Sequence, residues 1–341
     1  MSSPQLEVSR SRSPWQWLYS GAHKLRRRWW SRRSRRLPRP VISIGNLHWG
    51  GTGKTPLTAA IASHLVEAGY RVAILSRGYG RKDRQVRVVS TGEGPLLGPS
   101  LAGDEPVLLA GEVPGAAVIV APERYLAGRH AMERLDPPPD LFLLDDGFSH
   151  LSLARDLDLL VFPASDPLGG GRLWPGGRLR EPLTAIRHAD AILVGGSSAD
   201  SEAMSRALEP FGLNGPAFHC ERRFDSPRHV DSRIVAPGSR ILLVSAIARP
   251  GDFEAVVSGL DLEVSDVITF PDHHAYPPPS LQEIHSAFEA SGAQVVLTTS
   301  KDRVKLLGRL DCPLAELPLQ AAPAESFWPW LDGRIASLVS S

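Results

Sequence analysis

Eight short apolar runs recur along the chain: VISIG (41–45), RVAILS (71–76), AAVIVA (116–121), DLFLLDD (140–146), LDLLVFPA (157–164), DAILVGG (190–196), ILLVSA (241–246) and QVVLTTS (294–300). None alternates apolar with polar positions, and a short continuous apolar run is what a strand buried on both faces of a parallel sheet looks like. Helical segments lie between them, so the pattern predicts an α/β fold with right-handed crossovers. In such a fold ligands gather at the carboxyl ends of the strands. A Gly- and Pro-rich stretch, 163–182, interrupts the rhythm after the fifth run and reads either as a hinge between lobes or as a loop over a site. There is no internal repeat. The 341 residues suit two domains rather than one core, and the expected division is a leader over 1–37, a first lobe over 38–155 and a second over 156–341.

Charge changes this picture at one end. The net charge is +1, yet residues 1–39 hold eleven Arg and Lys against Glu7 alone, so the leader is strongly basic and the body net acidic. Trp15, Trp17, Trp29 and Trp30 are interleaved with those arginines. No window reaches the roughly 18 apolar residues a membrane-crossing helix needs, and no export signal is present. The composition fits a segment lying on an anionic membrane surface, an arm tracking nucleic-acid phosphates, or a solvated tail. The acidic body speaks against nucleic acid as a partner, and no obligate protein partner is evident. Two cysteines, Cys220 and Cys312, build neither a disulfide framework nor a metal motif, which suits a reducing cytoplasm.

Candidate chemistry concentrates at the ends of the apolar runs. Gly50, Gly51, Thr52, Gly53, Lys54 and Thr55 follow the first run and open a helical segment, the context of a phosphate-binding loop. Backbone N–H groups would cradle phosphates, with Lys54 on the β and γ groups and the Thr55 hydroxyl on Mg²⁺. His48 stands where the strict pattern has a glycine. Asp145 and Asp146 end a buried run, where a second acid for the metal sits, although two such acids could also cap the next helix. Asp104 and Glu105 precede a helical run and read as caps or as functional acids. Asp272, His273 and His274 lie in a proline-rich loop, as surface groups or as a catalytic His near an Asp. Arg77, Arg81 and Lys82 follow the second run, where phosphate-bearing ligands of an open sheet bind.

In their order and spacing, ISIGNLHWGGTGKTP, LSRGYGRK, GDEP, LLDDGFSH, GRLREP, FPDHHAY and TTSKDRVKL resemble the tetraacyldisaccharide 4′-kinases, the lipid A 4′-kinases of Gram-negative bacteria. The resemblance spans about residues 38–307. It implies a P-loop NTPase-like lobe and a second α/β/α lobe with the active site between them. It also implies transfer of the γ-phosphoryl of ATP, with Mg²⁺, to the 4′-hydroxyl of a tetraacyl glucosamine disaccharide 1-phosphate, giving lipid IVA, at the cytoplasmic face of the inner membrane. Carried over by motif, Gly50 to Thr55 bind ATP, Asp104 is the general base with His273, and Asp145, Asp146 and Glu105 join Thr55 around the metal. Arg77, His150, Arg180 and Glu181 face the lipid headgroup or the transferring phosphate. Closure of the lobes would assemble Asp104 with His273, and removing residues 1–37 would weaken membrane binding with the chemistry intact. The chain departs from the family at Ser149, where DDGFQH is usual, and at Ser245 to Pro250, SAIARP for SGIGNP. The other class of function open to these motifs is a membrane-associated P-loop ATPase acting as a switch or positioning module.

Overall fold

The computed structural model describes residues 14–50 and 52–340. All eight apolar runs are strands, and the described residues hold two sheets. The strands are β1 (Val41–Gly45), β2 (Val72–Ser76), β3 (Arg87–Ser90), β4 (Ala117–Val120), β5 (Leu141–Asp145), β6 (Leu157–Phe162), β7 (Ala191–Gly195), β8 (Ala217–Phe224), β9 (Arg228–His229), β10 (Arg240–Ser245), β11 (Glu263–Thr269), β12 (Val295–Thr299), β13 (Leu314–Leu317) and β14 (Leu319–Pro323). The helices are α1 (Pro14–Ser31), α2 (Lys54–Glu67), α3 (Pro99–Ala102), α4 (Asp104–Glu112), α5 (Arg124–Arg134), α6 (Ser198–Leu208), α7 (Pro250–Val257), α8 (Pro278–Ser291), α9 (Ser300–Leu306) and α10 (Phe327–Val339).

The larger sheet runs β14-β8-β7-β6-β1-β5-β2-β4-β3, parallel except for its two edge strands, β14 and β3. β1 lies at its centre between β5 and β6, so the chain leaves β1 toward one side and later returns on the other. That change of direction opens a crevice at the carboxyl ends of β1 and β5. Apolar side chains cover both faces: Leu57, Ile61 and Leu65 of α2 pack on one with Phe327, Leu331 and Ile335 of α10. Ala127 and Ala131 of α5 pack on the other with Leu37. The smaller sheet, β11-β10-β12-β13-β9, is parallel except for β9 and carries its own apolar layer on each face.

The division expected at 155/156 falls inside the larger sheet, because β6, β7, β8 and β14 all hydrogen-bond into it. Parallel pairing of β6 with β1 holds the chain in the first lobe through Phe224, and α10 packs back onto that lobe at the other end. The chain passes between the sheets at 225–227 and at 318, and these crossings are tied together. Asp225 N–H donates to the Pro318 carbonyl at 3.2 Å, and Gln320 donates to the Asp225 carboxylate at 2.6 Å. The stretch 163–182 is therefore not the crossing: it is a loop of the first lobe, and its second half lies along the segment after β1.

Candidate active site

The segment after β1 is held from two sides. His48 bridges Leu179, Trp49 N–H donates to the Arg178 carbonyl at 2.9 Å, and Arg180 N–H donates to the Leu47 carbonyl at 2.7 Å. Asn46 donates through its side chain to Thr52 Oγ1 at 2.8 Å, a buried contact that closes the loop on itself. Gly53 takes φ +88° as the residue that caps α2, a left-handed conformation that costs glycine little and other residues more. Lys54 and Thr55 are then the first residues of α2, where unpaired N–H groups and the helix dipole favour an anion. Gly51 lies outside the described residues. Burial drives the His48 imidazole down to about 4, so it stays neutral at physiological pH. It contributes packing where a glycine would leave space.

Across the crevice, β5 delivers two aspartates into different environments. Asp145 is 2% exposed and accepts a long hydrogen bond from Thr58 Oγ1 at 3.4 Å. Burial, then Glu105 and Asp146, push its carboxyl up to about 7. Asp146 sits in the left-handed region at φ +53°, and its side chain turns the other way. Burial would raise its pKa, but Lys54 at 3.7 Å and Arg180, which donates to Oδ2 at 3.0 Å, outweigh it and hold the carboxyl well below the usual range. Both Asp146 oxygens accept from Arg180, which also donates to the Asn46 carbonyl at 3.1 Å. Asp146 thus fastens Lys54 and Arg180 together, while Asp145 forms no ion pair among the described residues and feels Lys54 and Arg124 only as weaker, more distant charges.

Around these acids stands a cationic wall. Arg124, at the start of α5, is buried, and its Nε has no hydrogen-bond partner among the described residues. Burial brings its guanidinium down to about 10 despite Asp146 and Asp145 nearby. His150 is driven to about 3 by burial and by Arg124, Arg155 and Arg77. A buried, incompletely bonded arginine beside a neutral histidine and Arg77 is a setting in which an anion is stabilised.

The second lobe meets the first at the amino end of α4. Gly103 lets the loop after β2 lie against the start of α4, since a Cβ there would stand 2.9 Å from the Tyr79 carbonyl oxygen. Asp104 follows it and faces His273 Nδ1 at 3.6 Å and Lys305 Nζ at 3.6 Å. Lys305 is 4% exposed and pairs with Asp302 at 2.7 Å. The other Asp302 oxygen accepts from Ala246 N–H at 2.8 Å and from Thr299 Oγ1 at 2.9 Å. His273 has φ +62° and Tyr276 φ +51°, so the Pro-rich loop makes two left-handed turns to aim them. Lys301 approaches both Asp272 and His273 Nε2 at 3.3 Å. His274, by contrast, stacks on Phe270 and bonds Ser280 Oγ at 2.8 Å, a packing role.

Arg180 and Glu181, expected to face the lipid headgroup or the transferring phosphate, both have partners within the protein. Arg180 is turned inward to Asp146, and Glu181 is 2% exposed. Glu181 accepts from Arg27 at 2.8 Å, faces His23 Nε2 at 3.1 Å and accepts from Ser149 Oγ. Burial would raise its pKa, but His23, Arg27 and Ser149 bring the carboxyl to about 2. Glu181 is thus taken up by internal partners, whereas Arg180 reaches the crevice and shares Asp146 with Lys54. Ser149, where the family has glutamine, is one of those partners. Helix α1 is equally not a detachable arm: Arg27 also lies over the Phe148 ring at 4.4 Å, and Tyr19 Oη donates to the Arg180 carbonyl at 3.2 Å. Its loss would leave a buried carboxylate without its charge partners.

The sequence model of the tetraacyldisaccharide-1-P 4′-kinase family matches residues 9–336. The chain belongs to the tetraacyldisaccharide 4′-kinase family. It is 42% identical over 275 residues to the tetraacyldisaccharide 4′-kinase of Anaeromyxobacter sp. (strain Fw109-5), covering 78% of this chain and 73% of the relative. It is 40% identical over 300 residues to that of Geobacter sulfurreducens, covering 86% and 84%. The crystal structure of LpxK from Aquifex aeolicus in complex with ATP superimposes with a TM-score of 0.77 at 32% identity, covering 96% of this chain and 98% of that one. Three side chains of this tetraacyldisaccharide 4′-kinase family site carried no role in the sequence reading: Arg124, Asp302 and Lys305. A charged residue straight after a buried strand and turn is the signal for Arg124. Lys305 stands in TTSKDRVKL, where its burial is invisible without the smaller sheet.

Proposed function

We propose that this chain transfers the γ-phosphoryl group of ATP to the 4′-hydroxyl of tetraacyl glucosamine disaccharide 1-phosphate, forming lipid IVA, with its α1 helix against the anionic cytoplasmic face of the inner membrane. The observation that carries the reading is the meeting of Asp104 with His273 and Lys305 across the two lobes, in a chain whose phosphate loop presents Lys54 at the start of α2.

The loop N–H groups and Lys54 hold the triphosphate, with Arg124, Arg77 and neutral His150 bounding its outer oxygens. Asp104 accepts the proton of the acceptor hydroxyl as that oxygen bonds to the γ-phosphorus and the bond to the β–γ bridging oxygen breaks. His273 and Lys305 orient Asp104, and Lys305 is itself held by Asp302. The donor set Thr55, Asp145 and Glu105 is all hard oxygen and suits Mg²⁺, and Asp145 is the buried carboxylate that lacks a cation. Among the described residues no three His, Cys, Asp or Glu form a cage, which accords with an ion completed by phosphate oxygens and water. When bound, Mg²⁺ neutralises charge on the β and γ phosphates. No helix among the described residues is long and apolar enough to cross a membrane. Exposed Leu25 and Trp29 on basic α1 support contact with a lipid surface.

Asp104→Asn tests the base. The expected result is a fall in kcat of about 10²–10⁴-fold with KM for ATP nearly unchanged; full activity would remove Asp104 from the chemistry.

A further inference from the structure

A cavity of ≈200 Å³ lies between α1 and the 3₁₀ turn Leu183–His188, away from the loop that would hold ATP. Six of its eight lining residues are basic: His23, Lys24, Arg27, Arg28, Arg187 and His188. Among the described residues that line it, none is acidic. We propose that this cavity binds a phosphate group carried by a lipid.

Charge, size and position each support the assignment. Lys24, Arg27 and Arg28 are three and four residues apart, so α1 turns them to one side and gathers positive charge there. Glu181 answers Arg27 and His23 from within. The other carboxylates near the turn are occupied, Asp158 by Arg155 at 3.0 Å and Asp190 by Arg334 at 2.8 Å. Arg187 Nε is bonded to the Thr184 carbonyl at 2.8 Å, which fixes its guanidinium at the rim. The field at the site is net positive: after burial, Arg27, Arg187 and Arg155 hold the His188 imidazole down to about 4 against the opposing pull of Glu181. The cavity is smaller than the roughly 300–1,000 Å³ that encloses a drug-sized ligand, so it takes a headgroup and leaves acyl chains outside. On the same helix Leu25 is 71% and Trp29 50% exposed, apolar groups suited to the lipid that would carry the phosphate. A phosphate there would be bound by Arg27, whose other partner is Glu181, the neighbour of the Arg180 that grips Asp146. Headgroup occupancy and the catalytic loop thus share one chain of ionic contacts.

Two lipids carry that chemistry: the acceptor disaccharide through its 1-phosphate, which rests on the kinase reading, and the anionic phospholipid around it, which does not. The test uses the full chain, the pair Lys24→Ser/Arg187→Ser, and the charge-retaining pair Lys24→Arg/Arg187→Lys. Binding of water-soluble dihexanoyl phosphatidic acid is measured at low and high salt, with dihexanoyl phosphatidylcholine as control, and melting curves verify the fold. The expected result is salt-sensitive binding that the serine pair weakens roughly tenfold and the charge-retaining pair keeps. A parallel rise in KM for the disaccharide 1-phosphate in neutral detergent, at constant kcat, assigns the site to the acceptor. Loss confined to phosphatidylglycerol vesicle binding assigns it to the surrounding phospholipid. Equal binding of dihexanoyl phosphatidic acid by the parent and the serine pair, or none by the parent, overturns the proposal. That binding is read without turnover, so its failure is distinct from failure of the kinase reading.

Discussion

Asp145 makes an unusual demand on stability, and Asp145→Asn exposes it. Its carboxyl is raised from 3.8 to about 7 by burial first and by Glu105 and Asp146 after that. An acid raised in the folded state binds its proton more tightly there than in the unfolded chain. Stability is therefore lost as pH climbs from about 4 to 7, and the loss is complete above 7. At 1.36 kcal/mol per pH unit the full shift approaches ~4 kcal/mol. Shared among three interacting carboxylates, about 2–4 kcal/mol is the reasonable magnitude. Asparagine keeps the shape and the acceptor for Thr58 and removes the charge. Without ligand and in EDTA, Asp145→Asn should melt higher than the parent at pH 8, by about 5–10 °C, and the gap should close toward pH 4. The same variant should lose most of the extra stability that ATP with Mg²⁺ gives the parent, and at least about 10²-fold in kcat. An Asp145→Asn protein that melts lower than the parent at pH 8, or still gains fully from Mg²⁺, would refute the assignment of Asp145 as the cation-seeking acid.

Two further outcomes follow from Glu181. Its depressed pKa stabilises the fold above the unfolded value near 4.3 and is lost as pH falls through about 2; Glu181→Gln should therefore cost about 2–4 kcal/mol at pH 7 in denaturant titrations, with the difference narrowing by pH 3. Removing residues 1–31 strands that carboxylate, so the truncated protein should lose about 3–5 kcal/mol and much of its kcat even with detergent-dispersed substrate, and adding Glu181→Leu should recover part of the stability; unchanged kcat on truncation would restore α1 to a mere anchor.

Eight of the parallel strands were legible because burial on both faces writes itself as an unbroken apolar run. β3, β8, β11 and β14 were not, since they carry charge or exposure along one side; β11, EVSDVIT, is largely solvent-facing at its edge of the smaller sheet. The expected boundary at 155/156 failed for a related reason: β6 is as apolar as β5, and composition cannot say which sheet a buried strand enters. Lys54, Thr55, Asp104, Asp145 and Asp146 stand out as candidates in the sequence because phosphate chemistry sits at strand and helix ends. The meeting of Asp104 with His273 came only through resemblance, as the residues are remote in the chain. Glu181 was placed at the headgroup or phosphate only by resemblance, and the partners that turn it inward, His23 and Arg27, belong to a leader whose composition left membrane, nucleic acid and solvent all open. Lys305 and Arg124 show the converse, charges whose burial is created by tertiary packing.

The central claim is transfer to a lipid-borne sugar rather than turnover of ATP alone. Purified protein with ATP and Mg²⁺ should consume ATP in proportion to added tetraacyl disaccharide 1-phosphate, and mass spectrometry of the lipid should show one added phosphoryl group on the non-reducing sugar at its 4′-oxygen. Steady ATP hydrolysis that proceeds equally without the disaccharide, and leaves the added lipid unmodified, would contradict the account and favour a P-loop ATPase switch.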